Sequence, residues 1–287
     1  MKEQIFVLNN FENFELKHIF ECGQCFRWNE EHDGSFTGMV GNNVVNVLKE
    51  DKRITFKGMC TDSIIKIAAE YFDLDTDYNK IKEKLRQVDE HMCLAIEYGN
   101  GIRILKQDFW ETLISFIISA NNNIPRIKKI IEKLSKNYGD AIIWEKKVYF
   151  TFPTPEQLKD VSVKDYRELG LGFRDERLYD TVQKVLNKEL DLEYLQSIKD
   201  TNTLREELIK INGVGPKVAD CVMLFSLKRF EVFPVDVWVR RVMNELYIKK
   251  PDETKVNNND LRKLARDKYG DIAGIAQQYL FYWKRES

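Results

Sequence analysis

Two residues, Lys217 and Asp236, have the types and setting for chemistry at a carbon centre. Lys217 follows Asn212-Gly213-Val214-Gly215-Pro216, and Asp236 ends Phe233-Pro234-Val235-Asp236, 19 residues further on. Two glycines allow a tight turn and close backbone approach to a ligand. Pro216 suits the first turn of a helix. Residues 204–225, LREELIKINGVGPKVADCVMLF, therefore predict helix, turn, helix. The N–H groups of Gly213, Val214 and Gly215 would then meet an anion such as a DNA phosphate. Lys217 would sit in the first turn, where the helix dipole disfavours an ammonium and favours the neutral amine that attacks carbon. Asp236 precedes VWVRRVMNEL. Each feature also has a plainer use, as a helix corner, a solvated lysine and an N-cap.

The elements that must position these groups change type along the chain. Residues 4–58 contain short, partly alternating runs: QIFVLNN, FELKHIF, CFRW, SFTGMV, NVVNVLK and RITFKG. Turn signals such as His32-Asp33-Gly34 and Gly41-Asn42-Asn43 separate them, which predicts an antiparallel sheet. From Thr61 the apolar spacing becomes helical and stays so almost to the end. Helix starts are expected at Asp108, at Thr154-Pro155-Glu156-Gln157 and at Ser162. The fold class is α+β. An N-terminal sheet domain with flanking helices spans 1–98, and an all-α region spans 99–287 with its hairpin at 205–225.

The 287 residues are 43% hydrophobic and 32% charged, a globular composition. No apolar run approaches the ~18 residues that cross a bilayer, and the N-terminus shows no signal-peptide pattern, so an intracellular protein is expected. The net charge of −1 hides an asymmetry. Residues 1–100 hold 12 Lys and Arg against 18 Asp and Glu, and residues 101–287 hold 33 against 28. Such a mild imbalance does not by itself point to nucleic acid. Cys22 and Cys25 form a C-x-x-C within ECGQCFRW, residues 21–28. The other cysteines are Cys60, Cys93 and Cys221, and the histidines are His18, His32 and His91. No second C-x-x-C or H-x-x-x-H completes a zinc set, so free thiols are expected.

Taken together, hairpin, lysine and aspartate resemble the helix-hairpin-helix glycine/proline/aspartate superfamily of DNA glycosylases. Four further stretches are similar to its 8-oxoguanine DNA glycosylases of the eukaryotic type: KVADC (217–221), GIRILKQDFWETLISFIISANNNIPRI (101–127), GLGFRDER (170–177) and ECGQCFRW itself. The resemblance implies a monomeric, bifunctional enzyme. It would excise 8-oxoguanine from double-stranded DNA by attack of Lys217 on the sugar and cleave the abasic site by β-elimination. Asp236 would activate the lysine and stabilise the developing positive charge. The Gly23 carbonyl would accept the N7–H that distinguishes the lesion from guanine. Cys221 and Phe281 would sandwich the flipped base and Gln277 would read its Watson–Crick edge. Asn121 would fill the gap, Arg126 and Arg174 would contact the opposite base, and Phe173 would wedge beside it.

Two positions depart from the family pattern. Phe173 stands where a tyrosine is common, and Trp238 where a phosphate-side histidine is common, so the histidine's role is not carried over. The endonuclease III branch bears four cysteines on an iron–sulfur cluster after the aspartate; no cysteine follows Cys221, so no cluster and no cofactor is expected. A backbone-bound cation at Ile209, Ile211 and Val214 stays open, and no other metal is required. The alternatives are a glycosylase for another lesion, a non-catalytic hairpin that grips DNA, and a thiol oxidoreductase built on Cys22 and Cys25. The expected location is the cytoplasm of a bacterium, or the nucleus if the source is eukaryotic.

Overall fold

A computed structural model describes residues 1–286. Five antiparallel strands form the N-terminal sheet: β1 (Lys2–Leu8), β2 (Trp28–Glu30), β3 (Phe36–Val40), β4 (Asn43–Glu50) and β5 (Arg53–Cys60). Their order is β1-β5-β4-β3-β2, so only β1 departs from a simple meander. It pairs along its whole length with β5, from Lys2 opposite Cys60 to Leu8 opposite Ile54. One face packs on helices α1 (Leu16–Phe20) and α2 (Ile64–Tyr71) around Phe14, Phe20, Trp28, Phe56 and Phe72. Trp28 stacks on Phe20 at 4.2 Å between ring centres and donates its Nε1–H to the Tyr71 hydroxyl.

Local expectations change in several places. The stretch FELKHIF, expected as a strand, contains α1. Its buried residues Leu16, Ile19 and Phe20 follow the i, i+3, i+4 spacing of one helical face. In CFRW only Trp28 is in a strand, because residues 21–27 form an irregular buried turn. In the region expected to be helical, a hairpin of β6 (Ala141–Trp144) and β7 (Lys147–Phe150) appears. It turns through Glu145 and Lys146, both at positive φ, and so lacks the Asn-Gly signal that normally marks such a turn. Ile142 and Trp144 point from it onto Met39 and Val44 of the sheet.

The helices are α3 (Tyr78–Arg86), α4 (Glu90–Tyr98), α5 (Phe109–Ser119), α6 (Ile124–Tyr138), α7 (Val163–Glu168), α8 (Asp175–Leu186), α9 (Leu192–Ser197), α10 (Thr201–Ile209), α11 (Pro216–Leu227), α12 (Val237–Met243), α13 (Asn258–Tyr269) and α14 (Ala273–Glu286). Asp108 caps α5 through the Glu111 N–H, and Ser162 with Asp165 makes a full capping box on α7. Thr154–Gln157 begins only a 3-10 turn, Glu156–Leu158. The helical core also takes in Tyr78, Leu85, Met92 and Ile96 from α3 and α4. These two helices, N-terminal in sequence, therefore pack with the helical region rather than with the sheet.

Buried polar groups join the two cores. Arg103, 1% exposed, donates to the carbonyls of Asn13, Phe72, Asp73 and Thr76 and lies 4.2 Å over the Tyr78 ring. Asp73 pairs with Lys228. In the helical region, Asp220 of α11 is wholly buried between Arg205 of α10 at 2.7 Å and Arg262 of α13 at 2.9 Å. Burial pushes the Asp220 carboxyl up, and the two guanidiniums oppose that shift. Removing the charge would leave two largely buried cations without their shared partner. Asp220→Asn is expected to lower stability by about 3 kcal/mol, read as a lower urea midpoint with an unchanged slope. An unchanged midpoint would contradict this role.

Candidate active site

The turn between α10 and α11 forms as expected. Gly213 has φ +85°, which favours glycine; a Cβ there would lie 2.5 Å from Arg177 Cδ, so that side chain would also have to shift. The Val214 N–H donates to the Ile211 carbonyl at 3.0 Å. Gly215 is the N-cap of α11 and makes no side-chain cap. A Cβ at Gly215 would meet nothing within 4 Å, so no packing demands glycine there; what it leaves is open access to the backbone. The surrounding cavity, about 610 Å³, is lined by Gly213, Gly215, Pro216, Lys217, Arg240, Asn258 and Arg262 among others.

Lys217 stands on the first turn of α11 with its Nζ 4.8 Å from the centre of the Phe116 ring. Phe116 is held edge-on by Phe26 and stacked on Phe225, both at 5.5 Å. The amine thus faces an apolar, aromatic corner. Asp236 caps α12, accepting the Val239 N–H at 2.7 Å. The cap uses one carboxylate oxygen and leaves the other for a second partner. The expected structural use and a chemical use are compatible.

Lys217 and Asp236 both line two adjoining spaces. The outer cleft, about 580 Å³, is also walled by Gly23, Asn121, Trp238, Arg240 and Phe281. The inner pocket adds Cys221, Gln277 and Gln278 but measures only about 40 Å³. That is room for about one water, so any planar guest must displace a wall. Phe281 is only partly buried and borders both spaces, which makes it the wall best able to move. Gly23 has φ +82°, and a Cβ there would lie 3.2 Å from the Phe281 ring. Its neighbour Gln24 is wholly buried and donates to the carbonyls of Ile19 and Arg103 at 2.8 Å, while accepting the Leu105 N–H at 2.9 Å. These bonds fix the turn that brings Gly23 against α14.

The three asparagines after α5 have different partners. Asn122 donates to the Ile118 carbonyl and Asn123 caps α6 through the Arg126 N–H. Asn121 has φ +51°, is exposed, and its side chain makes no hydrogen bond among the described residues. Arg174 is 2% exposed; its guanidinium donates to the carbonyls of Ala120, Asn121 and Leu171. It anchors the Asn121 loop, which the sequence did not reveal. Arg126 is exposed and reaches the Gly170 carbonyl at 3.0 Å. Phe173 is 54% exposed, with the Arg174 and Arg177 guanidiniums 4.2 and 5.0 Å from its ring centre. Trp238 is 47% exposed at the cleft and carries the Arg241 guanidinium at 5.5 Å. Phe26, Phe116, Arg240 and Gln278 also belong to the site. Their apolar or helical settings gave them the look of core or surface positions.

Cys22 and Cys25 are buried free thiols, and so is Cys221. Burial pushes Cys22 up to about 12 and Cys25 well above its ordinary range. Cys221 is pushed up to about 11 by burial, against the pull of Lys217. Reactive thiols need the opposite shift, so the oxidoreductase alternative loses its chemistry. At pH 8 the native protein is expected to react with iodoacetamide at Cys93, the one cysteine not fully buried, and at the others only after denaturation. Peptide mapping that found rapid labelling of Cys22 or Cys25 in the native protein would contradict this.

Comparison with known proteins agrees with this arrangement. Residues 6–113 match the family described as 8-oxoguanine DNA glycosylase, N-terminal domain. Residues 114–267 match the HhH-GPD superfamily of base excision DNA repair proteins. The N-glycosylase/DNA lyase of Saccharomyces cerevisiae is 36% identical, over 90% of this chain and 73% of its own length. The N-glycosylase/DNA lyase OGG1 of Arabidopsis thaliana is 29% identical, over 93% of this chain and 76% of its own. The solved structure of the Clostridium acetobutylicum 8-oxoguanine glycosylase/lyase, in complex with double-stranded DNA containing cytosine opposite 8-oxoguanine, is 44% identical. It superposes with a TM-score of 0.93 over 99% of this chain and 97% of that one. Sequence motifs, a shared pocket for Lys217 and Asp236, and these matches lead to one conclusion: the chain belongs to the 8-oxoguanine DNA glycosylases of the HhH-GPD superfamily.

Proposed function

We propose that the protein excises 8-oxoguanine from double-stranded DNA and then cleaves the strand at the abasic site, as a bifunctional glycosylase and lyase acting as a monomer. The observation that carries this reading is the convergence of Lys217 and Asp236 with Gly23, Cys221, Gln277 and Phe281 on one pocket. A hairpin that only gripped DNA would need no such pocket. The work would lie inside the cell where DNA is, the cytoplasm of a bacterium or the nucleus of a eukaryote. Among the described residues no helix is long and apolar enough to cross a membrane.

The base must leave the stack, which costs a few kcal/mol of pairing and stacking. Asn121 would fill the vacated space, since its side chain is exposed and has no hydrogen bond to give up among the described residues. Phe173 would wedge beside it. Arg126 would turn to the opposite base. Arg174 would join it only by exchanging bonds it now makes to Ala120 and Asn121. The N–H groups of Gly213 and Gly215 would hold a phosphate, whereas that of Val214, expected to join them, is taken by the Ile211 carbonyl. A cation at the hairpin would take the Ile209, Ile211 and Val214 carbonyls as ligands; that of Ile211 accepts one hydrogen bond, from the Val214 N–H, and keeps a second lone pair.

The flipped base would push Phe281 aside and stack between it and Cys221, a neutral thiol. The Gly23 carbonyl would accept the lesion's N7–H. Guanine offers a lone pair there instead, acceptor against acceptor. Gln277 would meet the Watson–Crick edge. The Lys217 amine would form a bond to C1′ as the C1′–N9 bond breaks and its electron pair leaves with the base. Asp236 would stabilise the positive charge developing on the sugar. Ring opening gives an imine to Lys217, which makes the C2′ proton acidic; its loss expels the 3′-phosphate. The bond-making step would run on the Lys217 amine and the Asp236 carboxylate, without a cofactor.

Excision and strand cleavage on an 8-oxoguanine:cytosine duplex test the proposal. Wild-type protein is expected to do both. Lys217→Gln should abolish cleavage while still binding the duplex. Asp236→Asn should slow excision by roughly 10²–10³-fold, the usual loss of one stabilising group. Gly23→Ala should lower excision of 8-oxoguanine by at least about tenfold, through its strained φ and the contact with Phe281. Undiminished cleavage by Lys217→Gln would overturn the assignment.

A further inference from the structure

The outer cleft and the groove beside the hairpin share five lining residues: Ala120, Lys217, Val235, Arg240 and Asn258. Three of these are polar, and Lys217 is the proposed nucleophile. The Arg240 guanidinium makes no hydrogen bond or ion pair among the described residues, and its Nε is shielded from solvent. The arginines around it are engaged. Arg241 bonds to Glu253 at 2.7 Å, and Arg262, which also lines the groove, bonds to Asp220 at 2.9 Å. Asn258 Oδ1 is likewise shielded and without a partner. Shielded polar groups without partners are uncommon, and each calls for an explanation. Half a turn of the Asn258 amide presents its NH₂ in place of its oxygen, so both side chains can donate to one anion.

A strand held at the Gly213 and Gly215 N–H groups must cross this boundary to deliver a nucleotide into the cleft. One phosphate beside the flipped sugar therefore comes to rest there. We propose that Arg240 is a further catalytic residue, which holds the phosphate on the 3′ side of the lesion and serves strand cleavage rather than base excision. The proposal rests on the functional reading above. In the cleavage step the imine to Lys217 makes the C2′ proton acidic. The proton passes to water, a C2′=C3′ double bond forms, and the C3′–O3′ bond breaks with its electron pair going to the phosphate. The leaving group changes from a diester with a single negative charge to a monoester with a second one. The 5′-phosphate keeps its single charge throughout, and base excision alters neither phosphate. A guanidinium on the 3′-phosphate thus binds the cleavage transition state more strongly than the state before it, which is the condition for accelerating that step. Its planar fork suits a phosphate, to which it can donate two parallel bonds.

The test is a single-turnover reaction, with protein in saturating excess over an 8-oxoguanine:cytosine duplex and each sample split in two. Hot alkali cleaves every abasic site, so the treated half reads excision; the untreated half reads cleavage by the protein alone. Arg240→Met keeps a long side chain and removes the charge. It is expected to slow strand cleavage at least about tenfold while excision stays within about threefold of wild type. The same loss is expected on a duplex with a preformed abasic site, where no excision is needed. Arg240→Lys should recover part of it, since the charge remains and the fork does not. A melting midpoint near the wild-type value checks that both variants are folded. Equal slowing of excision and cleavage, the mark of a residue that only places the strand, would overturn the proposal, and so would undiminished cleavage. Failure of the wild-type protein to excise or to cleave would overturn the functional reading first, and this proposal with it.

Discussion

Everything at the site depends on where α11 sits, and the buried Asp220 between Arg205 and Arg262 determines that. Lysine carries its amine on a long flexible stem, so a nucleophilic lysine needs a base that does not move. Asp220 lies between Lys217 and Cys221 in sequence, on the inner side of the same helix. Its two ion pairs draw α11 against α10 on one side and α13 on the other. The hairpin turn and the pocket wall thereby become parts of one rigid unit. A buried ion pair is a weak source of net stability but a firm constraint on position once formed, and position is what the chemistry here requires.

The opposite wall comes from the other end of the chain. Gln24, wholly buried, bonds to Ile19, Arg103 and Leu105 and so holds the Gly23 turn against Phe281 of α14. The sheet region is more than an appendage, since it supplies the residue proposed to tell the lesion from guanine. Arg103, with its carbonyl partners at Asn13, Phe72 and Thr76, keeps that region in register with the helices. The charge asymmetry fits this division. The acidic first third supplies the Gly23 turn, while the more basic remainder bears the hairpin and Arg240, which border the cleft or the groove beside it.

Much of this was legible in the sequence because it depends on local backbone demands. Gly213 and Pro216 punctuate the hairpin through φ and a missing N–H, and those constraints survive in any context. What depends on long-range burial was not legible. FELKHIF has nearly the same apolar content as a strand, and only packing decides that Leu16, Ile19 and Phe20 share a helical face. The β6–β7 hairpin turns through Glu145 and Lys146 and carries no glycine signal. The asparagine triplet could be placed, but only the structure separates the two that tie helix ends from Asn121, which does not. Arg174 and Arg240 could not be read at all. One is buried among carbonyls from a distant loop, and the other is identified by a hydrogen bond it lacks.

The central claim is that the amine of Lys217 bonds to the sugar carbon. Borohydride reduces an imine to a stable amine, so it fixes the adduct in place while the reaction runs on an 8-oxoguanine:cytosine duplex. Proteolysis and mass mapping of the trapped complex then locate the modified side chain directly. The account predicts that the sugar remnant is found on the peptide containing Lys217 and nowhere else. A trapped complex whose remnant lies on another lysine, or the absence of any trapped complex while the base is still excised, would contradict it.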